Sequence, residues 1–230
     1  MNIEIRRLNK IYHGQKVLKD MSFHMNRGEI TGLIGINGAG KSTLMKILAG
    51  ILPKTSGEIQ IDGRAWRRKD LDRTGALIEQ PALYENLSAF DNLKVKALLS
   101  GVADQRILET LDLMGLENTR KKSGNYSLGM KVRLGIALAI LNKPEFLILD
   151  EPTNGLDPVG IKDLKRLIKK LAEEGTSILI SSHQLKDVRD VSDHILMIDR
   201  GELAYEGRVN STEELEKVFF NIVNGRGGSL

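Results

Sequence analysis

The chain has 230 residues, of which 41% are hydrophobic, 28% charged and only 4% aromatic; this supports one or two compact domains and is too apolar for a disordered chain. Lysine and arginine number 34 against 30 acidic residues, a net charge of +4 with no long basic run, which is weak ground for nucleic acid or an anionic membrane surface. Cysteine is absent, which excludes disulfides, thiolate metal sites and a cysteine nucleophile, and no apolar run approaches the roughly 20 residues of a spanning helix.

The first residues alternate apolar and charged types and do not read as a signal peptide, so an intracellular location is the default expectation. Ile3, Ile5 and Leu8 open a strand, and Glu29 to Ile34 is a second, ending at a glycine. A helix is predicted from Lys41 to Ala49, closed by Gly50 with Pro53 beyond it. Gly57 to Gly63 alternates and ends in Asp-Gly, a hairpin signal.

From about Ser88 to Leu141 the pattern is helical. Ser88 with Asp91 resembles a capping box. Leu93, Ala97 and Leu98 are read as one apolar stripe, and Ile107, Leu108, Leu111 and Met114 as another. Val132 to Leu141 is apolar on nearly all sides and is expected to be buried.

Alternation of strand and helix then returns. Phe146 to Leu149 is a continuous apolar run, as in a buried parallel strand. Asp157-Pro158 starts a helix as N-cap and first helical residue. Ile161, Leu164, Leu167, Ile168 and Leu171 give that helix its apolar face, and Gly175 ends it. Ser177 to Ile180 is another buried strand, and residues 195–205 form a last hairpin. The sum is an α/β domain interrupted by a helical insert, followed by a glycine-rich tail expected to fray.

Gly35-Ile36-Asn37-Gly38-Ala39-Gly40-Lys41-Ser42 fits G-x-x-x-x-G-K-[ST]. A polyphosphate needs backbone N–H groups turned inward, and glycines allow both that curvature and the close approach. The helix beginning at Lys41 adds its positive end. The Lys41 ammonium reaches the β- and γ-phosphates, and the Ser42 hydroxyl can ligate Mg²⁺. A chance match of this pattern is expected in roughly 1% of chains of this length, and the strand before and helix after reduce that further.

Asp150 and Glu151 stand at the end of a buried strand, where open α/β sheets bind ligands. Asp150 is expected to hold Mg²⁺ through water, and Glu151 to polarise the attacking water. His183 ends the strand that could neighbour Asp150; a lone histidine is more often structural, so both readings stand on these residues alone. His13, His24 and His194 have no such setting.

Taken in order, these residues resemble the ATP-binding cassette family, the nucleotide-binding subunits of ABC transporters, over about residues 1–216. Asn125-Tyr126-Ser127-Leu128-Gly129-Met130-Lys131 is similar to the family signature, usually Leu-Ser-Gly-Gly-Gln; Asn154-Gly155-Leu156-Asp157 resembles its D-loop, and His183 its switch histidine. Tyr12 stands where such proteins stack an aromatic ring on adenine. The resemblance implies a P-loop NTPase core with a mixed sheet, an N-terminal antiparallel β subdomain and an inserted α-helical subdomain. It implies one ATPase domain over 1–220, with a core at about 1–85 and 142–220, an insert at 86–141, and a flexible tail at 221–230.

The resemblance also implies ATP and Mg²⁺ as cofactors. Nucleotide contacts would come from Tyr12, Gly35, Asn37, Gly38, Ala39, Gly40, Lys41, Ser42 and Thr43, and metal contacts from Ser42, Asp150 and Glu79, with Gln80 as the other choice. Glu151 and His183 would be catalytic. A second cassette would pair head to tail, its Ser127 and Gly129 capping the γ-phosphate held at Lys41, with Asp157 in the D-loop. The partners implied are that second cassette and an integral membrane permease, without nucleic acid, at the cytoplasmic face of the cell membrane.

Two departures stand out. Leu128 and Met130 replace the usual Gly and Gln of the signature, and Glu79 takes the usual glutamine position of the Q-loop, with Gln80 after it. Both features, with Pro81-Ala82-Leu83-Tyr84, look like the bacitracin and lantibiotic exporters. The rivals are a soluble cassette acting on ribosomes or DNA, which usually carries two cassettes or a coiled coil, and a kinase or GTPase switch, for which no Asn-Lys-x-Asp is present. The basic stretch Arg64 to Lys69 reads as a solvated loop.

Overall fold

The computed structural model describes residues 1–225. Two sheets form the frame. Strands β1 (Ile3–Tyr12), β2 (Gln15–Met25), β4 (Ser56–Ile61) and β5 (Arg64–Ala65) make an antiparallel sheet in the order β2-β1-β4-β5. Strands β3 (Ile30–Ile34), β6 (Thr74–Leu77), β7 (Phe146–Asp150), β8 (Ser177–Ser181), β9 (His194–Asp199) and β10 (Glu202–Gly207) make the second, in the order β10-β9-β3-β8-β7-β6. It is parallel from β9 to β6, with β10 antiparallel at one edge, so the sheet is mixed.

Helices α1 (Lys41–Leu48), α5 (Pro158–Glu173), α6 (Leu185–Arg189) and α7 (Thr212–Gly225) cover this sheet, while α2 (Ala89–Ser100), α3 (Asp104–Leu113) and α4 (Leu128–Ile140) lie between β6 and β7 in sequence. Strand β7 shows how the layers are fixed. All five of its residues are buried. Its period of two sends Leu147 and Leu149 into the cluster shared with α2 to α5, and Phe146 and Ile148 into the cluster shared with α1 and the antiparallel sheet. A run apolar at every position is what a strand buried on both faces requires. Burial of each such side chain contributes about 1.5–3 kcal/mol.

The helix ends follow their capping residues. Ser88 caps α2 by accepting from Asp91 N at 3.1 Å, Ser127 caps α4 by accepting from Met130 N at 3.3 Å, and Asp157 caps α5 by accepting from Gly160 N at 2.7 Å. Each such cap is worth about 1 kcal/mol.

Three sequence expectations need correction. Leu93 and Ala97 are buried, but Leu98 is 71% exposed, because it lies one residue, or 100°, past the i, i+4 pair. Leu108 is likewise on the solvent side, while Ile107, Leu111 and Met114 are buried. The chain continues as helix α7 to Gly225, so residues 221–225 of the expected tail are helical; the rest of that tail, 226–230, lies outside the described residues. Ser211 accepts from Glu214 N at 3.1 Å to start α7, and Leu215, Val218, Phe219 and Ile222 hold it against α6 and β9.

Candidate nucleotide site

The site forms at the carboxyl ends of β3, β7 and β8. Register places Asp150 beside Ser181 across the parallel β7–β8 pair. The loop after β3 turns at Gly38 and at Gly40, whose φ angles are 81° and 112°, the left-handed region that glycine enters without steric cost. Ala39 anchors the loop to the β9–β10 turn by accepting from Gly201 N at 3.0 Å. Helix α1 starts at Lys41, so its N-terminal end faces the loop.

Lys41 is 8% exposed. Its ammonium donates to Gly35 O at 2.6 Å and Ile36 O at 3.3 Å. Burial pushes its pKa down, and the nearby Glu151 and Asp150 carboxylates push it up.

A chain of short hydrogen bonds follows. Ser42 Oγ donates to Asp150 Oδ2 at 3.0 Å, and Ser181 Oγ donates to Asp150 Oδ1 at 2.5 Å. Ser181 Oγ also accepts from Glu151 N at 3.1 Å. Glu151 has φ of 50°, a left-handed conformation held only because its surroundings over-determine it. Its Oε2 accepts from His183 N at 3.2 Å and lies 2.7 Å from His183 Nδ1. Glu151 and His183 are thus one unit at the strand ends.

Lys41, Ser42, Asp150 and Glu151 border a cleft of about 620 Å³, while Ser181 and His183 are not among its lining residues. Asn37, Gly38, Gly40, Lys41, Ser42 and Thr43 line the cleft, together with Asp150, Glu151, Asn154, Glu79 and Gln80. Ala39 is buried behind the loop, and Gly35 stands where a Cβ would meet Ile198 O at 2.4 Å. Backbone N–H groups, a cation and a helix N-terminus suit a polyphosphate. The other donors, Ser42 Oγ and Asp150, are hard oxygens, which suit Mg²⁺ shared with phosphate oxygens.

Other expected residues fall differently. Tyr12 is not among the residues lining the cleft; its ring lies 4.6 Å from the Lys10 ammonium, and Val17, after the turn, reaches the cleft instead. Glu79, at φ 59°, is mostly exposed and its carboxylate meets Lys46 Nζ at 2.5 Å, which directs it toward α1. Ser127 is exposed at the start of α4, while Leu128 lines the cleft and packs over Gly155. Ser181 and Val17 had no sequence signal. Ser181 sits in a buried strand without a motif, and only the register across from Asp150 singles it out.

A family model described as ABC transporter matches residues 18–154. The chain belongs to the ABC transporter family. It is an ATP-binding cassette and an ATPase of that family. The cassette is 46% identical over 220 residues to the lantibiotic transport ATP-binding protein SrtF of Streptococcus pyogenes, covering 95% of this chain and 96% of that one. It is 44% identical over 205 residues to the bacitracin transport ATP-binding protein BcrA of Bacillus licheniformis, covering 86% of this chain and 67% of that one. Among solved structures, an ATP-binding subunit of an ABC transporter superposes with a TM-score of 0.88 at 29% identity, covering 97% of this chain and all of that one. The dimeric, post-hydrolysis cassette MJ0796 bound to ADP and Pi superposes at 0.83 with 25% identity, over 91% and 99%.

Proposed function

We propose that this cassette hydrolyses ATP between two copies, or between itself and a paired cassette, to power a separate membrane permease that exports an antimicrobial peptide. The observation that carries the catalytic part is the Glu151–His183 pair at 2.7 Å, set beside an Asp150 carboxylate already fixed by Ser42 and Ser181. The export part is supported by the relatives named for lantibiotic and bacitracin transport. Among the described residues no helix is long and apolar enough to cross a membrane, so the path across would be the permease's.

Each residue has a role in this reading. The Gly38–Thr43 loop and Lys41 hold the triphosphate. Ser42 and Asp150 would hold Mg²⁺, which when bound neutralises charge on the phosphates. Glu151 takes a proton from the attacking water, and His183 keeps the Glu151 carboxylate aimed at it. Ser127 and Gly129 close the site from the second cassette, with the N-terminus of α4 facing anionic oxygen. Glu79, tethered to Lys46, joins the metal shell only after that ion pair opens. Val17, which lines the cleft, adds an apolar contact for the base, beside the stacking role expected of Tyr12.

The test is Glu151→Gln. This variant should bind ATP and accumulate as a dimer, with turnover reduced by at least about 100-fold, the lower end of what a general base contributes. Turnover at the parent's rate would overturn the assignment of the base. Co-purification from native membranes tests the partner: recovery of an integral membrane protein is expected, and recovery of ribosomes would favour the soluble rival.

A further inference from the structure

The helix that carries Ser127 makes a second set of contacts outside the cleft. Arg133 stands on α4, where its guanidinium meets two other helices. Nη1 is 3.4 Å from Met114 O, at the end of α3. A Cβ on Gly115 would stand 3.0 Å from Nη1, and a Cβ on Gly160 would stand 3.0 Å from Nη2 and 2.8 Å from Asp157 Oδ1. Two glycines, one after α3 and one in the first turn of α5, therefore leave the room that the planar fork fills. One turn earlier on α4, a Cβ on Gly129 would be 2.9 Å from Gly155 O, and Leu128 packs where a Cβ on Gly155 would be. The first two turns of α4 thus rest directly on residues 155–160, the segment leading from Glu151 to α5.

Local stability does not account for Arg133. Among the described residues no carboxylate lies within 4.0 Å of its nitrogens, and the bond to Met114 O is at the long, weak limit. The guanidinium borders a depression of about 250 Å³ that also holds Asp112 and Asp163, so its removal strands no charge in the core. What it does supply is a rigid fork spanning α3, α4 and α5.

We propose that Arg133 is a positioning residue for ATP turnover, keying α4 to the Asp157 segment so that Ser127 and Asp157 meet the second cassette as one body. This rests on the trans-capping reading given above. The experiment uses the full chain carrying Glu151→Gln and follows ATP-driven dimerisation by sedimentation. Arg133→Ala should raise the ATP concentration for half-maximal dimer about tenfold, or about 1.4 kcal/mol. ATP affinity of the monomer, measured below the dimerising concentration, should stay within about twofold. Arg133→Lys keeps charge and stem but loses the fork, and should recover less than half of the effect. If the Glu151→Gln parent does not dimerise with ATP, the trans-capping reading itself fails, whatever Arg133 does. If the parent dimerises and both variants match it, or Lys restores it fully, or monomer affinity falls as far as dimerisation does, the positioning role is overturned.

Discussion

Substituting Ser181 by alanine isolates the least obvious link in the site. Ser181 is fully buried, donates to Asp150 Oδ1 at 2.5 Å and accepts from Glu151 N at 3.1 Å. Without the hydroxyl, Glu151 N keeps Ser181 O at 3.2 Å, so no backbone donor is orphaned. Asp150, only 6% exposed, keeps Ser42 on its other oxygen. The loss is therefore one charge-assisted hydrogen bond, about 2 kcal/mol. For a chain of this size each kcal/mol moves the melting temperature by about 2–4 °C, so a fall of about 4–8 °C is expected by calorimetry. Freed on one side, Asp150 should also require severalfold more Mg²⁺ for half-maximal ATP hydrolysis, with ATP affinity in the absence of magnesium unchanged. Ser181→Thr, which keeps the hydroxyl, serves as control. An alanine variant that melts with the parent and shows the same magnesium titration would refute the claim that Ser181 fixes the carboxylate proposed to hold Mg²⁺.

The remaining predictions concern the core, the acid limit and the loop. Leu93→Ala should cost about 2–5 kcal/mol as a buried truncation, whereas Leu98→Lys should stay within about 0.5 kcal/mol; urea unfolding of the two distinguishes the faces of α2. Hydrogen bonds from Arg64 hold the Asp70 carboxyl at about 2, below its ordinary 3.8. Its folded pKa is depressed, so its contribution is present above about pH 3.8 and is lost as the pH falls through about 2. The urea midpoint of the wild type should fall across that window, and Asp70→Asn should flatten the fall. Lys41→Ala should lower ATP affinity at least tenfold by titration, about 1.4 kcal/mol, without lowering the melting temperature of the nucleotide-free protein. A lowered melting temperature would mean that the ammonium holds the loop together.

The parts legible in sequence were those in which residue type and spacing carry the physics. The loop from Gly35 to Ser42 is one, and the apolar run Phe146–Leu149 is another, because a strand buried on both faces favours apolar residues at successive positions. Apolar type alone misplaced Leu98 and Leu108, since leucine is tolerated on either side of a helix. Helix α7 was legible but overlooked: Ser211 and Glu214 give a cap and Leu215, Val218, Phe219 and Ile222 follow at helical spacing, ahead of the glycine-rich end. Ser181 was not legible. Strand register sets it beside Asp150, and no local pattern encodes that pairing.

The cleft proposed to hold the nucleotide is built before a ligand arrives. Lys41 is already out of water, with its ammonium given to two carbonyls of its own loop. Burial lowers its pKa, and the Glu151 and Asp150 carboxylates oppose that change. A phosphate would replace neutral acceptors by a charged one, a bond roughly twice as strong, without a new desolvation of the lysine. Asp150 is prepared in the same way, with one hydroxyl on each carboxylate oxygen. The cost of removing these charges from water is thus met by folding, and binding has only to exchange one set of partners for a better one. That is the property that preorganised electrostatic sites share, and here it depends on a strand pairing, β7 with β8, rather than on the loop alone.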